Sequence, residues 1–204
     1  MRAFPPLRET PSQTAGPYVH IGCVPNFGGI PGVFRQDLGA SLVNEATLGQ
    51  RITVEGTVRD GLSTPLKDAL LEIWQADSAG LYPSPEEQRG AADPNFAGWG
   101  RVAADQESGV WRFETVKPGR VPYLDGRPMA PHITFWIVAR GINLGLHTRM
   151  YFADEEEANA EDPVLMRIEH KARVATLIAE PSGTDSYTFD IQLQGANETI
   201  FFEC

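Results

Sequence analysis

The sequence predicts an all-β fold: a sandwich or partly closed barrel with an extended N-terminal arm and short peripheral helices. Three observations predict it. Apolar and polar residues alternate with a period of two in several short runs, the spacing of half-buried strands. The stretches between those runs are dense in turn formers, within a total of 20 Gly and 16 Pro. The first 47 residues carry Pro, Gly and polar residues with little periodicity, so they read as an arm laid over a core or a partner.

The β pattern begins after the arm. Ile52, Val54 and Val58 alternate with Thr53, Glu55 and Thr57, and Asp60-Gly61 signals a turn. Residues 69–75 predict a second strand and residues 111–116 a third. Residues 129–136 and on to 140 are apolar and β-rich, and residues 148–152 follow. Tyr187, Phe189, Ile191 and Leu193 alternate with polar neighbours, and residues 199–202 are expected to form the last strand. Residues 78–100 form the longest loop, and loops of that length in compact domains are usually functional. The acidic run from Asp154 to Glu157 reads as the start of a short surface helix, and residues 164–170 as another helical turn. The length of 204 residues is expected to hold one domain, residues 1–204, with the arm at 1–47 and the β core at 48–204.

Charge and composition exclude several functions. A net charge of −10 argues against a nucleic-acid face and against docking on anionic lipid. An anionic substrate would need local positive charge. Cys23 and Cys204 match no zinc or redox spacing and read as free thiols of a reducing compartment. No run is apolar enough for a signal peptide or a membrane helix, so a cytoplasmic protein is expected.

The chemistry starts at Met129-Ala-Pro-His132-Ile-Thr134-Phe135-Trp136. On a strand, residues i and i+2 share a face, so His132 and Thr134 point the same way. A His-x-His there would hold a metal, but this chain offers one imidazole and one hydroxyl. A phenol, with a pKa of about 10, binds a metal at neutral pH only where a strong Lewis acid removes its proton. Ferric iron does that, and imidazoles complete its shell.

Several segments, in register along almost the whole chain, resemble the intradiol ring-cleaving dioxygenases. They are Thr10-Pro-Ser-Gln-Thr-Ala-Gly-Pro-Tyr18, Glu72-Ile-Trp-Gln-Ala76, Gly80-Leu-Tyr82, Asp93-Pro-Asn-Phe96, Phe113-Glu-Thr-Val-Lys-Pro-Gly119, Pro131-His-Ile133 and Met150-Tyr-Phe152. Ala139-Arg140-Gly141-Ile142-Asn143 and Leu146-His-Thr-Arg149 resemble the α-type chain of the family's two-chain members in particular. That family holds ferric iron with two tyrosines and two histidines. The resemblance places Tyr82 and His132 at two of the four positions. Thr134 stands at the second histidine. The second tyrosine position falls on Arg120 and Val121, with Tyr123 two residues late. Met129 replaces a family arginine, and Thr148-Arg149-Met-Tyr-Phe152 stands where catalytic members carry Thr-Gln-x-Tyr-Phe.

Two ligands alone rarely hold a transition metal against water, so Tyr82, His132 and Thr134 read as a degenerate site without its own metal. Arg149 is expected to fill it, and its charge would repel a cation. His20, His147 and His170 are not at ligand positions. The resemblance implies an iron-free subunit paired with a homologous β chain that carries Fe(III). The pair would cleave 3,4-dihydroxybenzoate with dioxygen to 3-carboxy-cis,cis-muconate. The resemblance also assigns this chain a share of the substrate pocket, through Thr14, Gly16, Pro17 and Arg140. Gly16 permits close approach, Pro17 fixes the turn, and the planar fork of Arg140 suits a carboxylate. Two rival readings stay open: a self-sufficient dioxygenase using Tyr82, Tyr123, His132 and a fourth ligand such as His147, and a purely structural β module.

Overall fold

The computed structural model describes residue 11 and residues 13–16, 18–143 and 145–203. Pro17 and Cys204 lie outside the described residues. The structure is mostly strands with few helices. The strands are β1 (Arg51–Arg59), β2 (Leu70–Trp74), β3 (Trp99–Ala103), β4 (Val110–Val116), β5 (His132–Val138), β6 (Leu146–Phe152), β7 (Ile178–Gly183), β8 (Ser186–Thr188) and β9 (Ile191–Gln192). They join in the order β3-β2-β5-β6-β7-β8-β1-β4, with β9 paired to β1. The short turn between β3 and β4 links the two ends of that order, so the sheet rolls into a nearly closed barrel.

Alternation explains the best-defined strands. Along β1, Ile52, Val54 and Val58 are buried, and β4 pairs with it antiparallel, Val54 opposite Phe113 and Gly56 opposite Trp111. On β5, Ile133, Phe135 and Ile137 turn inward, while Thr134, Trp136 and Val138 are half-buried on the other face. The core is built on aromatic rings: Phe135 lies 5.6 Å from Trp111, 6.0 Å from Phe113 and 5.8 Å from Phe189. Burial of each such side chain contributes about 1.5–3 kcal/mol.

Several expectations needed correction. β3 falls at the end of the expected loop. Gly100 interrupts its pattern, because a side chain there would collide with Leu42, whose Cδ1 lies 2.5 Å from the Cβ position. β7 was not legible either. Pro181 cannot donate to a ladder, and the register shifts between Pro181 and Gly183. The alternating run at 187–193 forms two strands, β8 and β9, because Asp190 turns its carboxylate onto the Thr57 N–H at 2.8 Å between them. Residues 199–202 make an isolated bridge, His147 to Phe202, in place of a closing strand. The arm holds α1 (Tyr18–Cys23), and α2 (Glu156–Glu161) forms the expected acidic surface helix. A single 3-10 turn, Leu165–Arg167, occupies the expected turn near 164–170, and a longer one at Lys171–Leu177 carried no sequence signal. Cys23 is a free thiol. Among the described residues, no helix is long and apolar enough to cross a membrane.

Candidate functional site

Two clusters lie at opposite ends of β5. The first surrounds His132. The loop after β2 brings Tyr82 to it through buried Asp77, whose carboxylate accepts from the N–H groups of Ala79, Leu81 and Asp93 at 2.8–2.9 Å. Gly80, at φ +79°, lets this loop meet the next one: a Cβ there would lie 2.2 Å from the Arg120 carbonyl. Tyr82 then stacks on Trp74, centroids 5.5 Å apart, and packs with Tyr123 against Ala76, Val121 and Met129.

His132 is buried, and its Nδ1–H donates to the Ala130 carbonyl at 2.8 Å. Ala130 is fixed by Asp162, a buried carboxylate that accepts from the N–H groups of Ala130, Val164 and Leu165 at 2.8–2.9 Å. Across the sheet, Tyr151 is opposite His132, and Arg149 is opposite Thr134. The short threonine therefore faces a long guanidinium. Arg149 rests on Met129 Sδ at 3.4 Å and lies 5.9 Å from the Phe202 ring centre.

Electrostatics set the character of this cluster. Burial, reinforced by Arg149, lowers the His132 pKa to about 4. Burial pushes the Tyr82 phenol up, against the pull of Arg149 and Arg89. Burial also raises the Tyr151 phenol, reinforced by the Asp162 carboxylate and opposed by Arg149. Tyr123 packs in the same apolar cluster as Tyr82, and its hydroxyl accepts a hydrogen bond from Arg167. His147 is opposite Trp136, four residues along the strand from the His132 pair and roughly 13 Å away, too far to share a metal with it. Ferric iron needs anionic oxygens and imidazoles around one point. Here a protonated phenol, one imidazole and a threonine surround a fixed cation, so the donor set does not fit ferric iron.

One prediction arises directly. The unfolded chain binds a proton at His132 near pH 6.5 and the folded chain only near pH 4. Acid therefore favours unfolding through that window, by up to about 3 kcal/mol. Above pH 6.5 both states are neutral there, and the group adds no slope. Urea midpoints taken from neutral pH down to about pH 4.5 should fall in the native chain and fall less in His132→Leu.

The second cluster forms where β5 ends. The Thr14 hydroxyl accepts from the Gly141 N–H at 2.7 Å and donates to the Ala139 carbonyl at 3.3 Å. It therefore pins the arm to the turn that carries Arg140. Arg140 is 78 % exposed at its side chain and pairs with Asp68 at 3.6 Å. Ala15, Gly16, His20, Asp68 and Arg140 line one recess of about 170 Å³, which a larger one of about 400 Å³ adjoins. The space before Gly16 is open, since a Cβ there would meet no atom within 4 Å. The structure thus brings Thr14, Gly16 and Arg140 together. Sequence reasoning missed His20 and Asp68 in this cleft. They reach it from α1 and from the turn before β2, and no local pattern marks them.

The family model described as Dioxygenase matches residues 25–195, and the chain belongs to that family, the intradiol ring-cleaving dioxygenases. The nearly closed sheet agrees. The dioxygenase domain of a dioxygenase–carbohydrate-binding fusion from Streptomyces sp. SirexAA-E superposes with a TM-score of 0.54 at 28% identity, covering 77% of this chain and 88% of that one. More particularly, the chain is a homologue of the alpha chain of protocatechuate 3,4-dioxygenase. It is 46% identical over 200 residues to that chain of Pseudomonas putida, covering 97% of each. The beta chain of the Burkholderia cepacia enzyme is 36% identical over 166 residues, covering 76% of this chain and 69% of that one.

Proposed function

We propose that this chain is the iron-free α subunit of a protocatechuate 3,4-dioxygenase and completes an active site held mainly by a homologous β chain. Fe(III) belongs to the β chain, where it activates the catechol of 3,4-dihydroxybenzoate for attack by dioxygen, giving 3-carboxy-cis,cis-muconate. This chain supplies pocket wall from Thr14, Gly16 and Pro17, and Arg140 draws in and orients the substrate carboxylate. Its place of action is the cytoplasm.

One observation carries this reading. The cation suited to a carboxylate is exposed in a cleft at one end of β5, while the degenerate cluster lies roughly 25 Å away at the other end. Pocket residues without a metal beside them need a second chain. Surface apolarity in the arm supports such a partner: Tyr18, Val33 and Leu38 are 82%, 56% and 51% exposed, with Ile21, Phe27 and Ile30 also open. Exposed apolar side chains concentrated in one segment suit a surface that a partner covers.

Co-expression with a homologous β-type chain tests it. The two chains should copurify and convert 3,4-dihydroxybenzoate, and this chain alone should not turn it over. Full ring-cleaving activity in this chain alone, or in the β-type chain alone, would contradict the proposal.

A further inference from the structure

Another recess, of about 370 Å³, opens near Tyr123 of the degenerate cluster. Val164, Ile168, Ile200 and Phe202 form its apolar wall, and the Tyr123 ring closes one side. Its size falls within the range of small-molecule sites.

The rim carries Arg167, Glu169, His170 and Arg173. Arg173 is committed to Glu198 at 3.2 Å. Glu169 is exposed. Arg167 differs from both. It lies over the Tyr123 ring at 5.2 Å and donates to the Tyr123 hydroxyl. Among the described residues, no carboxylate lies within 4.0 Å of it. A guanidinium has five N–H donors, so an anion can still be bound in two-point fashion. Both rings of the recess already face a cation: Arg167 at Tyr123 and Arg149, 5.9 Å from the Phe202 centre.

We propose that this recess is a separate, non-catalytic binding site for a small aromatic carboxylate. The ligand ring packs on Phe202 and Ile200, and its carboxylate pairs with Arg167. An aromatic ring suits the faces of Phe202 and Tyr123, and a carboxylate suits the Arg167 guanidinium, whose donors beyond the one on Tyr123 face no described carboxylate. The inference stands apart from the location of the iron, because every residue it uses is in this chain.

The test uses 4-bromobenzoate with the full chain and with the assembled complex. Bromine anomalous scattering in crystals of the complex locates each bound copy, so a copy in the partner's pocket is told apart from one in this recess. A peak beside Phe202 is expected. Calorimetry on the full chain should show binding that weakens about tenfold or more in Arg167→Gln, the loss of one charge-assisted pair. The exposed position of Arg167 keeps that variant folded, which thermal melting checks. Equal affinity in Arg167→Gln, peaks only elsewhere, or binding at crystal concentration only would each overturn the site. Equally tight binding of hexanoate would overturn its aromatic assignment.

Discussion

Arg140→Ala in the assembled enzyme should raise KM for 3,4-dihydroxybenzoate roughly tenfold to a hundredfold. A charge-assisted hydrogen bond of about 1.5–3 kcal/mol sets that range. The turnover number should change far less, because a carboxylate remote from the reacting carbons contributes mainly uniform binding. The fold should be untouched. Arg140 is exposed, and its contact with Asp68 at 3.6 Å is a surface pair, of a kind worth under about 1 kcal/mol. Arg140→Lys keeps the charge but loses the two-point fork, so it should fall between the two. The sharpest control is catechol, which has no carboxylate: its kinetics should be the same in native enzyme and Arg140→Ala. An equal loss on both substrates would mean that Arg140 only holds the turn in place.

The largest effect on stability is expected at Gly56. A Cβ built there would lie 1.9 Å from the Phe189 carbonyl oxygen and 2.8 Å from Trp111 Cζ2. Neither neighbour can yield cheaply. The Phe189 N–H donates to the Glu55 carbonyl at 2.8 Å, and Asp190 grips the Thr57 N–H beside it. Trp111 is fully buried among the core rings. Gly56→Ala should therefore cost about 3 kcal/mol. It should lower Tm by about 6–12 °C for a chain of this size. Differential scanning calorimetry reads it directly. A change within a degree would show that β1 and the β8–β9 turn are less tightly seated than described.

These two positions show how unevenly the molecule was legible. Strands β1, β4 and β5 were readable because each buries mainly one face, and that leaves a period of two in the residues. The break at Asp190 was not, because the alternation continues through it: the turn depends on a side chain reaching Thr57 on another strand. β7 was hidden by Pro181, and β3 by a glycine kept small for Leu42. At the site, His132 and Thr134 sharing a face was legible from spacing. The placement of Arg149 opposite Thr134 needed the register between β5 and β6. Arg140 and Thr14 were marked only through family resemblance, since an arginine at a strand end is usually an ordinary surface residue. The hydrogen bonds from Thr14 to Ala139 and Gly141, on either side of Arg140, join the arm to the end of β5, and no local signal encodes them.

The central claim is that this chain holds no iron of its own and works through a partner that does. The iron content and visible colour of the two separated chains, each refolded or expressed with iron in excess, test it most directly. Ferric iron bound to phenolate is coloured, so the spectrum reports the ligand as well as the metal. The β-type chain or the complex should be red-brown with near-stoichiometric iron, and this chain should be colourless with only trace iron. A red-brown, iron-replete preparation of this chain alone would contradict the account at its base.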